Sequence, residues 1–391
     1  MSTNGSHTTP IRPGLVLTLG LGICLMIFPH VVAFAQGPRV IAVGDRHLWR
    51  ERVDAPNGFD KASRAAILIY AQKLQEQKAS ETKQSGRPSV VKWLDKELAL
   101  SLSNYQLAAK NCTAADWTCV GNVSDSGQLA AKVNMIVVPA NLLSWKANMV
   151  RFVSDYIGEQ VRLAALFTRT TSEIDLFNAN EFNGDRLADR KFFLTFDDGP
   201  TSAAGNTDGV LQMLAANKKT AVFFQLGGSL KTRLRETSAA KLSSSYQGQC
   251  VASHGWEHLA HATSTPWKDG RTWQTSVTDT QALLRSTFTD SPGLMPLFRP
   301  PYGQRRADSS TFFQEQGLHV TLWDLDSQDW NAGLNAEDVT NRIETLMLIK
   351  RHGILLFHDI FPKAKTAVPT IIQDFATAVE WGNCHQISEA F

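Results

Sequence analysis

Apolar and polar positions along the chain change period once. From Arg39 to about Arg169 the apolar residues recur at helical spacing. Asp60 can cap a helix carrying Ala65, Ile67, Leu68, Ala71 and Leu74 on one face, and a second helix runs from Ser89 through Trp93, Leu94, Leu98 and Leu100. A third, long one spans Asn141 to Phe167 with Leu143, Val150, Val153, Ile157, Val161 and Leu163. Gly86-Arg87-Pro88 and Asn122 to Gly127 read as loops. The texture changes near Ser172. From Lys191 onward, short apolar runs (Phe192–Phe196, Ala221–Phe224, Leu318–Trp323, Ile354–Phe357) alternate with helical stretches at Asp208–Ala216, Trp273–Phe288, Ser309–Gln316, Ala336–Lys350 and Val368–Trp381. Such alternation predicts an α/β fold: a mainly parallel sheet, barrel or open, with helices outside. Chemistry in such folds collects at the carboxyl ends of the strands.

The N-terminus divides differently. Arg12 precedes an apolar stretch from Leu15 to Phe28, followed by Ala33-Phe34-Ala35. Charged start, short apolar core and small-x-small exit are the three parts of a secretory signal. The apolar run is shorter than the roughly 20 residues that span a bilayer. The expected organisation is a signal peptide at 1–35, a mainly helical N-terminal domain of unknown role at 36–171, and a catalytic domain at 172–391. Export to the periplasm or the medium follows, with no stable membrane insertion after cleavage; an uncleaved anchor is the alternative. Beyond Ala35 the cysteines are Cys112, Cys119, Cys250 and Cys384, an even count that permits two disulfides in an exported chain. Cys112–Cys119 would close a short loop and Cys250–Cys384 would tie the middle of the chain to its end; four buried thiols are the alternative. A formal net charge of +2 with no long basic run argues against nucleic acid as a partner.

The strand ends carry the candidate chemistry. Phe192–Phe196 runs into Asp197-Asp198-Gly199-Pro200. Side chains alternate along a strand, so the two carboxylates are expected to face opposite ways and do different work, one binding a metal and one accepting a proton; a solvated turn is the plain alternative. In His254-Gly255-Trp256-Glu257-His258 two imidazoles four apart would share one face of a helical turn and grip one ion, with His261 a competitor for that face. Two histidines and Asp198 would leave coordination positions for water and substrate. The prolines of Phe298-Arg299-Pro300-Pro301-Tyr302-Gly303 stiffen the backbone that aims Arg299, which can keep a carboxylate ionised. Asp324, Asp326, Asp329 and Trp330 follow the strand ending at Trp323, and Leu356-Phe357-His358-Asp359 ends the last clear strand, where acidic neighbours can hold His358 protonated.

In this order the segments resemble the polysaccharide deacetylase family, the NodB-homology domain of carbohydrate esterase family 4. Thr195-Phe196-Asp197-Asp198-Gly199-Pro200 matches the family's first motif in full, and Thr220-Ala221-Val222-Phe223-Phe224 looks like its second strand. The resemblance covers about Ser172 to the C-terminus and leaves 36–170 unexplained. It implies an irregular, TIM-like (β/α) barrel with Zn²⁺, or another divalent transition metal, held by Asp198, His254 and His258. It implies Asp197 as general base, Arg299 as the group that holds it, His358 as acid oriented by Asp329, the Tyr302 backbone N–H as oxyanion donor, and Trp330 with Leu356 around the acetyl methyl. The implied partner is a polymer of N-acetylglucosamine, peptidoglycan or poly-N-acetylglucosamine. An O-acetyl (xylan) esterase and a non-catalytic glycan-binding protein are the other readings. Gly255 departs from the family, which carries Ser or Thr there; the loop is then expected to be looser, or Ser253 to supply the hydroxyl.

Overall fold

The computed structural model describes residue 38 and residues 40–84, 86–262, 265–289 and 291–390. The expected signal peptide and its cleavage site lie outside the described residues. No helix among the described residues is long and apolar enough to cross a membrane.

Four helices come first: α1 (Pro56–Lys83), α2 (Pro88–Ala108), α3 (Ser126–Lys132) and α4 (Leu143–Leu166). Pro56 and Pro88 occupy the first helical position, where a missing N–H costs nothing. The first helix therefore begins before Asp60, whose carboxylate instead meets the Arg351 guanidinium at 2.8 Å. Helix α3 begins inside the expected loop Asn122 to Gly127; its start is fixed by Asp125, which accepts from the Gln128 N–H. Trp93 and Trp145 are buried, and Trp145 packs edge-on against Trp49 with ring centroids 4.9 Å apart.

The remainder builds a parallel sheet, β1 (Glu181–Phe182), β2 (Lys191–Asp197), β3 (Ala221–Gln225), β4 (Cys250–Ser253), β5 (Leu294–Phe298), β6 (His319–Thr321), β7 (Leu325–Asp326), β8 (Gly353–His358) and β9 (Glu380–Trp381). Between and after these lie α5 (Asn206–Ala216), α6 (Gly227–Arg233), α7 (Ala239–Ser245), α8 (Trp273–Thr287), α9 (Ser310–Glu315), α10 (Ala336–Lys350) and α11 (Ala364–Phe375). The spatial order is β1-β6-β5-β4-β3-β2-β8-β7, with β9 beside the start of β2. The sheet curls into an incomplete barrel whose edges are β1 and β7. Between those edges α2 and α4 contribute Trp93, Glu97 and Tyr156 to a cavity of about 40 Å³, shared with Asn183, Asp324 and Asp326.

Period-2 alternation sorts each strand's side chains. Phe192, Leu194, Phe196, Phe223, Leu355 and Phe357 pack outward with the helices, while Phe193, Val222, Phe224, Ile354 and Leu356 form a second, interior cluster. Thr195 and Asp197 follow Phe193 at steps of two and are buried. Parallel registry brings the carboxyl ends level: Asp197 pairs with Phe224 and with His358, Gln225 with Ser253, and Ser253 with Phe298.

The N-terminal helices share the outward core with α10 and α11. Buried ion pairs cross the contact: Lys350 to Glu97 at 2.6 Å and Arg342 to Glu159 at 2.8 Å. Removing one member of such a pair strands a buried charge, at a cost of about 3–5 kcal/mol. Cys112 is bonded to Cys119, and Cys250 on β4 to Cys384. In the chain-entropy model the longer loop contributes about 5 kcal/mol.

Candidate active site

Strand β2 ends at Asp197, and Asp198 takes a left-handed backbone with φ 79°. The expectation that the two carboxylates face opposite ways is therefore corrected: alternation holds only while the chain stays extended. The positive φ swings Asp198 back, and both acids face His254. His254 Nε2 lies 3.7 Å from Asp197 Oδ2 and 3.4 Å from Asp198 Oδ1.

The histidine segment is also corrected. His254 to His258 form no helical turn; they follow β4 as an irregular loop. His254 is held at the strand end, with its Nδ1 at 2.7 Å from the Arg299 carbonyl. A carbonyl only accepts, so Nδ1 carries the proton and Nε2 presents a lone pair. His258 Nε2 lies 3.5 Å from the same Asp198 oxygen, and its ring packs on Tyr302 with centroids 4.3 Å apart. His261 stands outside this trio. It is buried with centroids 5.0 Å from Phe298 and 5.3 Å from Trp267, its Nε2 3.4 Å from Ser276 Oγ.

Gly255 explains how the loop turns. Its φ is 81°, and a Cβ there would stand 2.8 Å from His261 Nε2 and 3.0 Å from Ser276 Oγ. Ser253 Oγ accepts the Gly255 N–H at 3.3 Å, and Ser276 on α8 accepts the Trp256 N–H at 2.8 Å. The loop is thus not looser for lacking a hydroxyl. Gly255→Ala is expected to cost about 1–3 kcal/mol through backbone strain and crowding, visible as a lowered Tm in thermal unfolding.

Asp198 Oδ1 and His254 Nε2 are buried, and neither has a hydrogen-bond partner among the described residues. The two atoms face each other across 3.4 Å. Such an arrangement is costly unless a cation sits there. One ligand atom from each of Asp198, His254 and His258 falls within a 4.8 Å cluster. Burial pushes the His258 imidazole down to about 4, so at neutral pH it offers a lone pair. Burial raises the Asp198 carboxyl, but the surrounding His254, His258 and His358 side chains outweigh it and hold it well below the usual range. A nitrogen, nitrogen, oxygen donor set suits a divalent transition metal, so these residues fit the group the family implies.

Asp197 is held from behind. Arg299, fully buried, donates through Nη1 to Asp197 Oδ1 at 2.8 Å and to Thr195 Oγ1 at 2.7 Å. Its Nε and Nη2 donate to the carbonyls of Thr321 (3.2 Å) and Leu322 (3.0 Å), and its guanidinium lies 4.1 Å over the Phe224 ring. Burial lowers its pKa, and the Asp197 carboxylate opposes this only in part. Thr195 was quoted in the sequence motif without a role; its place on the interior face two residues before Asp197 is the signal that could have found it.

On the other side, His358 Nδ1 lies 2.7 Å from Asp329 Oδ1, and the His358 N–H donates to Asp329 Oδ2 at 3.0 Å. Burial opposes the charged ring, but the Asp329 charge and hydrogen bond, with smaller help from Asp198 and Asp197, push His358 up to about 10. Asp359, beside it, is pushed up to about 7 by burial and by the Asp198 and Asp197 charges. Sequence reading gave Asp359 no role. Tyr302 (φ 59°, 46% exposed) and Trp330 (39% exposed) stand at the surface, while Leu356 lies on the buried interior face. The chain thus brings together a cation-ready acceptor trio, an Arg-held carboxylate and an Asp-held imidazolium.

Residues 184–321 match the model of the polysaccharide deacetylase family. The matched span includes Asp197, Asp198, His254, His258, Arg299 and Tyr302 and ends before Asp329 and His358. Family members are generally metal-dependent. The chain is 30% identical over 187 residues to a peptidoglycan-N-acetylglucosamine deacetylase of Listeria monocytogenes, covering 47% of this chain and 35% of the relative. It is 27% identical over 247 residues to a peptidoglycan-N-acetylglucosamine deacetylase of Bacillus cereus, covering 61% and 79%. It is 31% identical over 167 residues to a bifunctional xylanase/xylan deacetylase of Cellvibrio japonicus, covering 42% and 22%. The chain thus spans about a third of the length of the first of these relatives.

Proposed function

We propose that the chain is an exported, metal-dependent hydrolase that removes N-acetyl groups from an N-acetylglucosamine polymer, peptidoglycan or poly-N-acetylglucosamine. The observation that carries this reading is the facing pair of buried, unpartnered acceptors, Asp198 Oδ1 and His254 Nε2, flanked by a carboxylate and a protonated imidazole. Asp198, His254 and His258 would hold a divalent cation, Zn²⁺ by its donor preference. When bound, such a cation polarises a carbonyl and lowers the pKa of water toward about 7. The residues of this chain account for the proton transfers. Asp197 takes the proton of the attacking water, and Arg299 pairs with Asp197 and aims it. The Tyr302 N–H receives the developing oxyanion. His358, poised as an imidazolium by Asp329, gives its proton to the leaving nitrogen. The C–O bond forms, the C–N bond breaks, and acetate and a free amine result. Trp330 and Leu356 would wall the space for the acetyl methyl. The leader before Ala35 and the peptidoglycan-acting relatives support action outside the cytoplasm.

The Cellvibrio relative, named for xylan, favours one second reading: an O-acetyl esterase, since the same groups cleave an ester more easily than an amide. Acetate release from peptidoglycan, poly-N-acetylglucosamine and acetylated xylan decides between them, with chelator treatment and metal add-back on each. We expect release from one of the first two, lost with chelator and restored by Zn²⁺. Release from xylan alone would select the esterase. No metal-dependent release from any of the three would leave a glycan-binding protein.

A further inference from the structure

A buried carboxylate from the N-terminal helices reaches the turn that carries the partner of the candidate acid. Glu159 on α4 is 3% exposed, and Arg342 on α10 is fully buried. Glu159 Oε1 accepts from the Ala42 N–H at 2.6 Å and from Arg342 Nη1 at 3.1 Å, while Oε2 accepts from Arg342 Nη2 at 2.8 Å. This is a two-point fork, the geometry that fixes a guanidinium in place as well as pairing it. Arg342 then donates through Nε to the Asp326 carbonyl at 2.9 Å and through Nη1 to the Ala42 carbonyl at 2.8 Å. Glu159 Oε2 also meets Gln328 Nε2 at 3.4 Å.

Asp326 and Gln328 belong to the turn that carries Asp329. Gln328 has φ 52°, is 4% exposed, and donates its N–H to Asp326 Oδ1 at 2.8 Å. Asp329 follows directly, its N–H on Ser327 Oγ at 3.2 Å, its carboxylate on both the ring and the backbone of His358. The turn has a left-handed residue at its centre, a conformation that side-chain-bearing residues hold only when their surroundings over-determine it. Here the surroundings are Arg342 from α10, and Glu159 from a helix outside the span matched by the family.

We infer that Glu159 and Gln328 are positioning residues for the His358–Asp329 pair, so that the N-terminal helical segment sets the aim of the group that protonates the leaving amine. This rests on the deacetylase reading for what His358 does, and on the structure alone for what holds it. A misplacement of about 1 Å at a reacting group can cost about 10²-fold in rate. The cost should fall on substrates that need the proton. An acetamide needs it, because its amine leaves slowly; an activated aryl acetate does not, because its phenolate leaves unprotonated.

The test compares the full-length protein with Gln328→Asn, Glu159→Gln and, as reference, Asp329→Asn. Asparagine tolerates the left-handed turn but is too short to reach Glu159. Gln328→Asn therefore keeps the assay open if Glu159→Gln, which strands Arg342, does not fold. Two readouts are taken: the ratio of kcat on an N-acetylglucosamine oligomer to kcat on an aryl acetate, and the NMR signal of the His358 Nδ1 proton. We expect the ratio to fall about 10-fold in the two positioning variants and further in Asp329→Asn, with the Nδ1 proton moving upfield in all three. Proportional losses on both substrates, or an unmoved Nδ1 signal in a folded Gln328→Asn, would overturn the inference. A wild-type chain that cleaves neither substrate, while the variants still move the signal, would instead remove the deacetylase reading and leave the positioning link standing.

Discussion

Asp197→Asn is expected to reduce acetate release by about 10²–10⁴-fold in kcat while leaving uptake of a divalent cation near that of the wild type, whereas His254→Ala is expected to lose both. The two side chains are neighbours, so the prediction separates roles that proximity alone would merge. Asp197 Oδ1 is committed to Arg299 at 2.8 Å, and its Oδ2 lies 3.7 Å from His254. The short unsatisfied contact, 3.4 Å, is between His254 and Asp198. An amide at 197 can still accept from Arg299, so the acceptor trio at 198, 254 and 258 keeps its shape. The amide cannot accept a proton from water, and the chemical step stops. Removing the His254 ring takes away one nitrogen donor and opens the bond to the Arg299 carbonyl. Metal content after dialysis against a trace of Zn²⁺, read beside kcat on the same samples, checks this. Equal loss of metal in both variants would contradict the separate roles. A Tm for Asp197→Asn belongs with it, since the Arg299 charge loses its buried counter-charge at a cost of up to about 3–5 kcal/mol.

What the sequence made legible follows from what each residue can say by itself. The long strands announce themselves because β2 and β8 are buried on both faces and read as unbroken apolar runs. Strand β4 does not, because Cys250-Val251-Ala252-Ser253 is short and small-chained, and β1, β7 and β9 have two residues each. The last helix was displaced for a similar reason. Pro369 argues for a start near Val368, yet α11 begins at Ala364 with the proline inside and ends at Phe375, releasing Glu380–Trp381 to pair with β2.

At the site, residue types were legible and directions were not. Adjacent acids and spaced histidines name their chemistry from sequence alone. The φ of 79° that turns Asp198 inward, and the irregular path from His254 to His258, depend on neighbours such as Gly199, Gly255 and Ser276. Least legible was the helical segment. Asp60 reads as a helix cap, and Glu159 and Glu97 carry no signal of a partner. Each instead meets a cation at the end or the buried face of α10: Arg342, Lys350 or Arg351. No local pattern announces a partner 183, 253 or 291 residues away.

Asp329→Asn should show what the acid pair contributes. We expect kcat on an acetamide substrate to fall by about 10²-fold or more and the alkaline limb of its pH profile to move toward acid. The sign follows from the causes of the shift. Burial favours the neutral ring and pulls the His358 pKa down, while the Asp329 charge and hydrogen bond supply the largest upward pull, carrying it to about 10. An asparagine keeps an oxygen near Nδ1 but not the charge. The downward pull of burial is then opposed only by Asp198 and Asp197, whose charges a bound cation screens. The imidazolium is lost at lower pH, and the acid form fails across a range where the wild type still holds it. A kcat profile from about pH 6 to about pH 10 on both proteins reads the displacement, since kcat reports groups in the substrate complex. A limb that stays in place would mean that His358 is not the group titrating. A limb moving to higher pH would contradict the role assigned to Asp329.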